Sequence, residues 1–340
     1  MQIVYISNRR DISRETLVYV ENLMPFITEA VFVCPGSQVK DFQFNSPIPV
    51  RVIDEAFVLG RRLKRFQDSR DHQFKNCLLR LSLAQVADIH DEFIMSDDDN
   101  RPMMEIPLSF YKSSNKYFAY YYYDLKQWSA RESDYDVGQH KTFEILEDKG
   151  YSTLSYSSHM PQIINKNLLG EVVRAFQDSL DKGAPLDEWS AYFNYGQTVC
   201  PERFHPPKPF QTLCWPAFPS DWNYHVRPDG FSFENFYPVL YENNLLFSGL
   251  PTCFDGSSHP EITREKIRRR TKLQNAFEAG KLSLWGKMFF FFRDMAGRFP
   301  TLKRKVNELI PSSHQAAILQ FFSSGCSRGK NEKGRKFRPR

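Results

Sequence analysis

Apolar and polar residues alternate in blocks along the first hundred residues. Short apolar runs rich in β-branched and aromatic residues predict four strands, over residues 3–7, 30–34, 50–53 and 92–96. Apolar residues at helical spacing predict a helix over residues 13–26 and one long helix over residues 62–87. Strands that alternate with helices favour a mostly parallel α/β sheet with helices on both faces, in which ligands bind beyond the carboxyl ends of the strands.

Three consecutive aspartates, Asp97, Asp98 and Asp99, directly follow the fourth predicted strand, and Asn100 comes next. Adjacent carboxylates repel one another, and a divalent cation would turn that repulsion into attraction. Alternate residues of an extended segment point the same way, so we expect Asp97 and Asp99 to bind Mg²⁺ or Mn²⁺ together with the phosphates of a nucleotide. Asp98 then turns back to hold the loop or a ribose. The alternative is a solvated acidic turn.

This order of elements, with Lys75 and Arg80 on the helix before the acidic strand, resembles the GT-A fold of nucleotide-sugar glycosyltransferases over about residues 1–125. The resemblance implies a DxD motif at Asp97 and Asp99 that holds a metal ion and the diphosphate of a nucleotide sugar. The expected donor-binding residues are Ser7, Arg9, Arg80, Asp98 and Asn100. The sequence contains neither a G-x-G-x-x-G fingerprint nor a P-loop, the competing nucleotide motifs.

A second local resemblance lies in residues 141–146 and then in residues 158–166, where His159 is followed by Pro161 and, a few residues later, by Lys166 at the expected start of a helix. It is similar to the Stealth family of bacterial sugar-phosphate transferases over about residues 90–180. The resemblance implies that His159, after a predicted strand over residues 151–156, belongs to the pocket as a metal ligand, phosphate donor or general base. The alternative is a structural histidine. A sugar-1-phosphate transferase therefore stays open as a second activity.

Residues 189–247 contain 16 aromatic residues and eight prolines and show little helical or strand period. Either these rings form an irregular core, or exposed rings stack on sugars in an acceptor groove. Inverting transfer needs a carboxylate that removes the proton of the acceptor hydroxyl. The candidate bases in and before this region are Asp136, Glu188 and Glu234, with Asp221 as a further possibility.

Charge divides the chain into an acidic body and a basic C-terminal part. Residues 264–340 carry 20 Lys and Arg against 5 Asp and Glu, a balance of +15, so the first 263 residues carry −10 although the net charge is +5. Apolar residues recur at spacings of three and four from Leu282 to Phe299, beside Lys281, Lys287 and Arg293. This pattern predicts a basic amphipathic helix that binds an anionic membrane surface, or else packs as a core helix. We expect the last ~13 residues to be disordered.

The composition is that of a soluble protein, with 41% hydrophobic and 25% charged residues. The chain contains no apolar run long enough to span a bilayer, and residues 1–7 read as a strand rather than a signal peptide. We therefore expect a cytoplasmic protein, peripheral at the inner membrane. No nucleic-acid partner is expected, since the body contains no recognisable motif for one.

The sequence predicts three parts: a nucleotide-sugar-binding α/β half over residues 1–125, an aromatic and proline-rich acceptor half over residues 126–262, and a basic helical tail over residues 263–340. The function that fits them is metal-dependent transfer of a sugar from a nucleotide sugar to a glycan or lipid-linked acceptor, in surface polysaccharide biosynthesis. The alternative of another class is a non-catalytic binding module with a basic membrane-docking tail.

Overall fold

A computed structural model describes residues 1–128, 133–213, 227–243, 245–256 and 258–278. The α-helices in this part of the chain are α1 (Arg10–Leu23), α2 (Glu55–Leu59), α3 (Leu63–Asp68), α4 (His72–Ser82), α5 (Asp134–Asp148), α6 (Lys166–Ala175), α7 (Gln177–Asp181), α8 (Glu188–Val199) and α9 (His259–Glu278). The strands are β1 (Gln2–Ile6), β2 (Glu29–Cys34), β3 (Val50–Asp54), β4 (Glu92–Ser96), β5 (Asn100–Pro102), β6 (Lys112–Ser113), β7 (Lys116–Tyr117), β8 (Tyr120–Tyr121), β9 (Tyr123–Asp124), β10 (Leu154–Ser155), β11 (Gln162–Asn165), β12 (Lys208–Pro209), β13 (Thr212–Leu213) and β14 (Phe233–Asn235).

The centre of the fold is a five-stranded sheet in the order β11-β4-β1-β2-β3. β1 pairs in parallel with β2 and with β4, and β2 pairs in parallel with β3, whereas β11 is antiparallel to β4. Consecutive residues of β1, which point to opposite faces of the sheet, are all buried from Gln2 to Tyr5. Both faces of the sheet are therefore covered, and the fold is mixed α/β with a parallel-rich centre, as expected.

The first four strands lie within one residue of the predicted positions, and α1 covers most of the first predicted helix. The prediction of a single long helix over residues 62–87 was wrong. The chain there forms α3, then a break, then α4, and Asp71 caps the second helix by accepting a hydrogen bond from the backbone amide of Phe74 at 2.8 Å. A capping aspartate in the middle of an apolar period is a helix start, and it divides the stretch in two.

The predicted strand over residues 151–156 was also wrong in extent and in place. Only Leu154–Ser155 form a strand, and it pairs antiparallel with β9 rather than with the central sheet. The fifth strand of the sheet is instead β11, which the sequence analysis missed because its apolar core is only Ile163 and Ile164. The helix expected at Lys166 does begin there, capped by the side chain of Asn165.

The described part of the aromatic region is more regular than predicted. It begins with α8 and contains β12, β13 and β14. Its rings are mostly buried, among them Trp189, Tyr192, Phe193, Phe204, Phe210 and Phe233, whereas Tyr237 is exposed. The buried rings pack as core, and Tyr237 remains exposed. Asp221 lies outside the described residues.

The chain divides into two compact units, the first ending at Phe236 and the second beginning at Tyr237. The second unit contains α9, on which the exposed cations Arg264, Arg268 and Lys272 recur every fourth residue and so share one side of the helix. Among the described helices, none is both long enough and apolar enough to cross a membrane. The predicted amphipathic helix from Leu282 to Phe299 and the expected disordered end lie outside the described residues.

Candidate functional site

The sheet order places the acidic triplet at a topological switch point. From β1 the chain adds β2 and then β3 on one side, whereas β4 joins on the other side of β1. Ser7 and Arg9 follow β1, and Asp97, Asp98 and Asp99 follow β4, so the two segments meet at one edge of the sheet. In open α/β sheets the crevice beyond the carboxyl ends at such a point is where ligands bind.

Asp98 is the buried member of the triplet and holds the loop. Its carboxylate accepts hydrogen bonds from the Ser7 hydroxyl and, at 3.0 Å, from Arg9 Nε. Its backbone carbonyl accepts a hydrogen bond from the Thr16 hydroxyl at 2.6 Å. Both oxygens of the carboxylate therefore already have partners within the protein, which favours the loop-holding role over contact with a ribose.

Asp97 and Asp99 each have an arginine counterion. Arg80 donates to Asp97, and Arg9 donates to Asp99 Oδ2 at 2.8 Å. Asn235 Nδ2 donates to the other oxygen of Asp99 at 2.9 Å. Burial, together with the neighbouring charge of Asp97, raises the pKa of Asp99 to about 6 in spite of Arg9. The three aspartates face two arginines here, which leaves one negative charge that favours a further cation.

Glu188, a candidate base, lies at the first position of α8 and holds Arg80. The two side chains form an ion pair in which Arg80 is 12% exposed and Glu188 only 2%. Gln73 Nε2 donates to Glu188 at 3.3 Å, and the Arg80 guanidinium lies 5.3 Å from the centre of the Trp189 ring. Burial raises the pKa of Glu188 to about 7 although Arg80 opposes the shift. A carboxylate enclosed in this way suits the orientation of Arg80 better than contact with an acceptor hydroxyl.

His159 lies in a strained loop, with a backbone φ of 51° that few residues other than glycine adopt. Thr212 fixes this loop by donating its hydroxyl to the carbonyls of Ser158, at 2.8 Å, and of His159, at 3.1 Å. Burial lowers the pKa of the imidazole, although the negative charges of Asp97 and Asp187 oppose this shift. The ring is therefore neutral near pH 7 and lies within electrostatic reach of Asp97. Backbone strain of this kind often accompanies function.

The remaining candidates are placed by local structure. Asp136 belongs to the capping box of α5, and its carboxylate accepts hydrogen bonds from Ser133 and from Trp128 Nε1. Glu234 is buried in β14 opposite Arg101 of β5, the strand that follows the triplet. Both carboxylates are enclosed, so neither presents an obvious base. Asn100 is also fully buried, and neither polar atom of its side chain has a hydrogen-bond partner among the residues that the structure describes.

The donor set fits a divalent cation that is shared with a substrate. Within the described ranges no group of three or more His, Cys, Asp or Glu side chains is arranged to hold a metal ion, so Asp97, Asp99 and His159 do not form a protein-only cage. Two carboxylates that leave other positions to phosphate oxygens and water are, however, a usual Mg²⁺ arrangement. The negative charge that the two arginines leave uncompensated at the three aspartates agrees with such a shared ion.

Sequence reasoning missed Asp187 and Asn235. Asp187 is buried and accepts hydrogen bonds from Gln139 Nε2 at 3.0 Å and from the backbone amide of Ser190 at 2.7 Å. Its charge acts on both His159 and Glu188. Aspartate before an apolar helix is a recognisable cap, which was the available signal. The contact of Asn235 with Asp99 joins residues 136 positions apart and has no local signal.

Comparisons with known proteins do not show a family for this chain. No protein-family model matches the sequence, and no curated protein matches it. Among solved structures, the chain is similar to mouse xyloside xylosyltransferase 1 in its apo form, with 11% sequence identity, 70% of this chain and 97% of that chain covered, and a TM-score of 0.43. A similarity of this size does not establish an activity.

Proposed function

We propose that the protein is a glycosyltransferase that uses a nucleotide sugar and a divalent cation, Mn²⁺ or Mg²⁺. The observation that carries the proposal is the meeting of Ser7 and Arg9 with the Asp97–Asp99 triplet at the switch point between β1 and β4. Carboxylates beside arginines at such a crevice suit a ligand that consists of a metal ion and a diphosphate.

Each side chain at this edge of the sheet has its own role in the proposed reaction. Asp97 and Asp99 would hold the cation. A cation bound there would neutralise the negative charge that develops on the leaving diphosphate. Arg80, oriented by Glu188, has its guanidinium at the same edge and suits a phosphate or sugar hydroxyl of the donor. Asp98 keeps the triplet in place through Ser7. The neutral imidazole of His159 offers a hydrogen-bond donor or acceptor near Asp97.

The acceptor and the cellular setting belong to the same proposal. We infer a glycan or lipid-linked acceptor, and an anionic leaflet as the docking surface of the basic C-terminal part. In support, the exposed cations Arg264, Arg268 and Lys272 on α9 form one ridge at the start of that part. Each basic side chain near an anionic leaflet contributes about 1 kcal/mol.

The test replaces each proposed metal ligand in turn, as Asp97→Asn and Asp99→Asn. We expect wild-type protein to consume a nucleotide sugar only with Mn²⁺ or Mg²⁺, and each variant to lose at least ~100-fold in rate while it still unfolds in one cooperative transition. Asp54→Asn is the matched control, because Asp54 ends β3 at the far side of the same sheet and caps α2, a position that asparagine fills equally well. Variants that keep wild-type metal-dependent turnover would overturn the assignment.

The nucleotide product distinguishes the two sugar-transfer reactions. Glycosyl transfer breaks the bond from the anomeric carbon to the phosphate oxygen and releases a nucleoside diphosphate. Sugar-1-phosphate transfer breaks the bond between the two phosphates and releases a nucleoside monophosphate. We expect the diphosphate. Release of the monophosphate would replace the proposed reaction with the second one and leave the donor site where it is.

A further inference from the structure

The two arginines on the triplet are held very differently. Arg80 is 12% exposed and is fixed between Asp97 and the buried Glu188. Arg9 is 46% exposed, and within the described part of the chain its guanidinium forms ion pairs with Asp98 and Asp99. Arg80 is therefore enclosed by protein, whereas Arg9 lies at the solvent side of the triplet and can turn from Asp99 toward a ligand.

We propose that Arg9 is an exchangeable counterion of Asp99: it neutralises Asp99 until a divalent cation takes that carboxylate, and then donates to the diphosphate that binds with the cation. This inference rests on the proposed function and concerns the order of binding at the same site.

The contacts at Asp99 explain why exchange is needed. One carboxylate oxygen accepts a hydrogen bond from Asn235 at 2.9 Å, and the other accepts one from Arg9 at 2.8 Å. A cation that coordinates Asp99 brings a second positive charge beside the Arg9 guanidinium, so the two repel each other and compete for the same carboxylate. Arg9 also donates to the buried carboxylate of Asp98, with Nε at 3.0 Å, so only its bond to Asp99 is exchanged while Asp98 keeps the guanidinium at the site. A diphosphate then offers the displaced guanidinium a bidentate partner.

Exchange makes cation and diphosphate binding cooperative. The cation alone must displace Arg9 without compensation, whereas the cation with a diphosphate restores a partner to Arg9. By linkage, each ligand then raises the affinity of the other by the same factor. Removal of Arg9 should strengthen binding of the cation alone and weaken binding of the diphosphate. A residue that only supported the fold would weaken both.

The experiment compares wild-type protein with Arg9→Gln and Arg10→Gln. Arg10 is the matched control, since it lies at the same helix start, is about half exposed and pairs with Asp11 instead of the triplet. Binding of Mn²⁺ alone is measured from the free Mn²⁺ signal in electron paramagnetic resonance. Binding of UDP, GDP, CDP and ADP in the presence of Mn²⁺ is measured by equilibrium dialysis, and unfolding in urea confirms that each variant is folded.

We expect Arg9→Gln to bind Mn²⁺ alone about fivefold more tightly than wild type, the factor that corresponds to a half-exposed ion pair. We expect the same variant to bind the preferred nucleoside diphosphate about tenfold more weakly, and Arg10→Gln to match wild type in both assays. Arg9→Lys keeps the charge and should leave Mn²⁺ affinity near wild type, which provides the comparison if Arg9→Gln does not fold.

Failure of this inference and failure of the proposed function give different results. If Arg9→Gln binds Mn²⁺ alone no more tightly than wild type, or if Arg9→Lys binds it fivefold more tightly, exchange is wrong while nucleotide binding stands. If wild-type protein binds none of the four nucleotides with Mn²⁺, the proposed function is wrong, and the measurement with metal alone still decides whether Arg9 competes for Asp99.

Discussion

Arg80→Met tests whether the buried chain Asp97–Arg80–Glu188 stabilises the fold as its geometry indicates. Methionine keeps an unbranched apolar side chain but removes the guanidinium that lies over Trp189 and the charge that both carboxylates share. Asp97 is partly exposed and can be solvated, whereas Glu188 is enclosed. The consequence of the substitution therefore depends on the protonation of Glu188.

The expected loss of stability differs below and above the pKa of Glu188. This pKa is raised from 4.5 to about 7, so folding takes up a proton and the stability of wild-type protein falls as the pH rises from about 4.5 to 7. Without Arg80 the pKa rises further, so the fall continues above pH 7 in the variant alone. At about pH 6 the loss is about 1–2 kcal/mol, from hydrogen bonds and the contact with Trp189.

At about pH 8.5 a further ~2 kcal/mol is lost, because each pH unit above 7 costs the variant about 1.4 kcal/mol. The total of about 3–4 kcal/mol agrees with the usual cost of breaking a buried ion pair.

Urea unfolding of wild type, Arg80→Met and Arg80→Met/Glu188→Gln at the two pH values measures these losses. The double variant has no carboxyl group at residue 188, so its loss relative to wild type should not grow at the higher pH; it should shrink by about 1.4 kcal/mol, the amount that Glu188 costs wild type between the two pH values. Arg51→Met is the control: Arg51 is about half exposed and pairs with Glu29 at 2.9 Å and Asp88 at 3.0 Å, and its removal should cost less than about 1 kcal/mol. A loss for Arg80→Met that is equal at both pH values, or no larger than that of Arg51→Met, would refute the reasoning.

Two further predictions concern the loops that hold the site. Ser7→Ala should lower the free energy of unfolding by about 1–3 kcal/mol, because the buried hydroxyl donates to Asp98 and accepts from Ser13 at 2.8 Å. The exposed Ser37→Ala should change it by less than about 0.5 kcal/mol, and equal effects in urea unfolding would count against the contact. His159→Gly should be about 1 kcal/mol more stable than His159→Ala, since φ is 51° there. An alanine variant as stable as the glycine variant would show that the loop is not strained.

The sequence alone determined those features of this protein that depend on residues close together in the chain. The four strands from Gln2 to Ser96 follow from short β-branched and apolar runs between turn signals, and α1 follows from its apolar period. The position of the triplet after β4 follows as well, because a strand end is visible in the sequence. Local signals also existed for the break before α4 and for the cap of α8, at Asp71 and Asp187.

Only the tertiary structure decided which of these parts meet. The placement of β4 beside β1 brings Arg9 to Asp98 and Asp99, and the packing of α8 brings Glu188 to Arg80, 108 positions away in the chain. The same packing turned Glu188 from a candidate base into an enclosed partner of Arg80. Local sequence does not specify such contacts, because strand order and helix packing depend on burial summed over the whole core. The acidic triplet was therefore visible in the sequence, but its arginine counterions were decided by the fold.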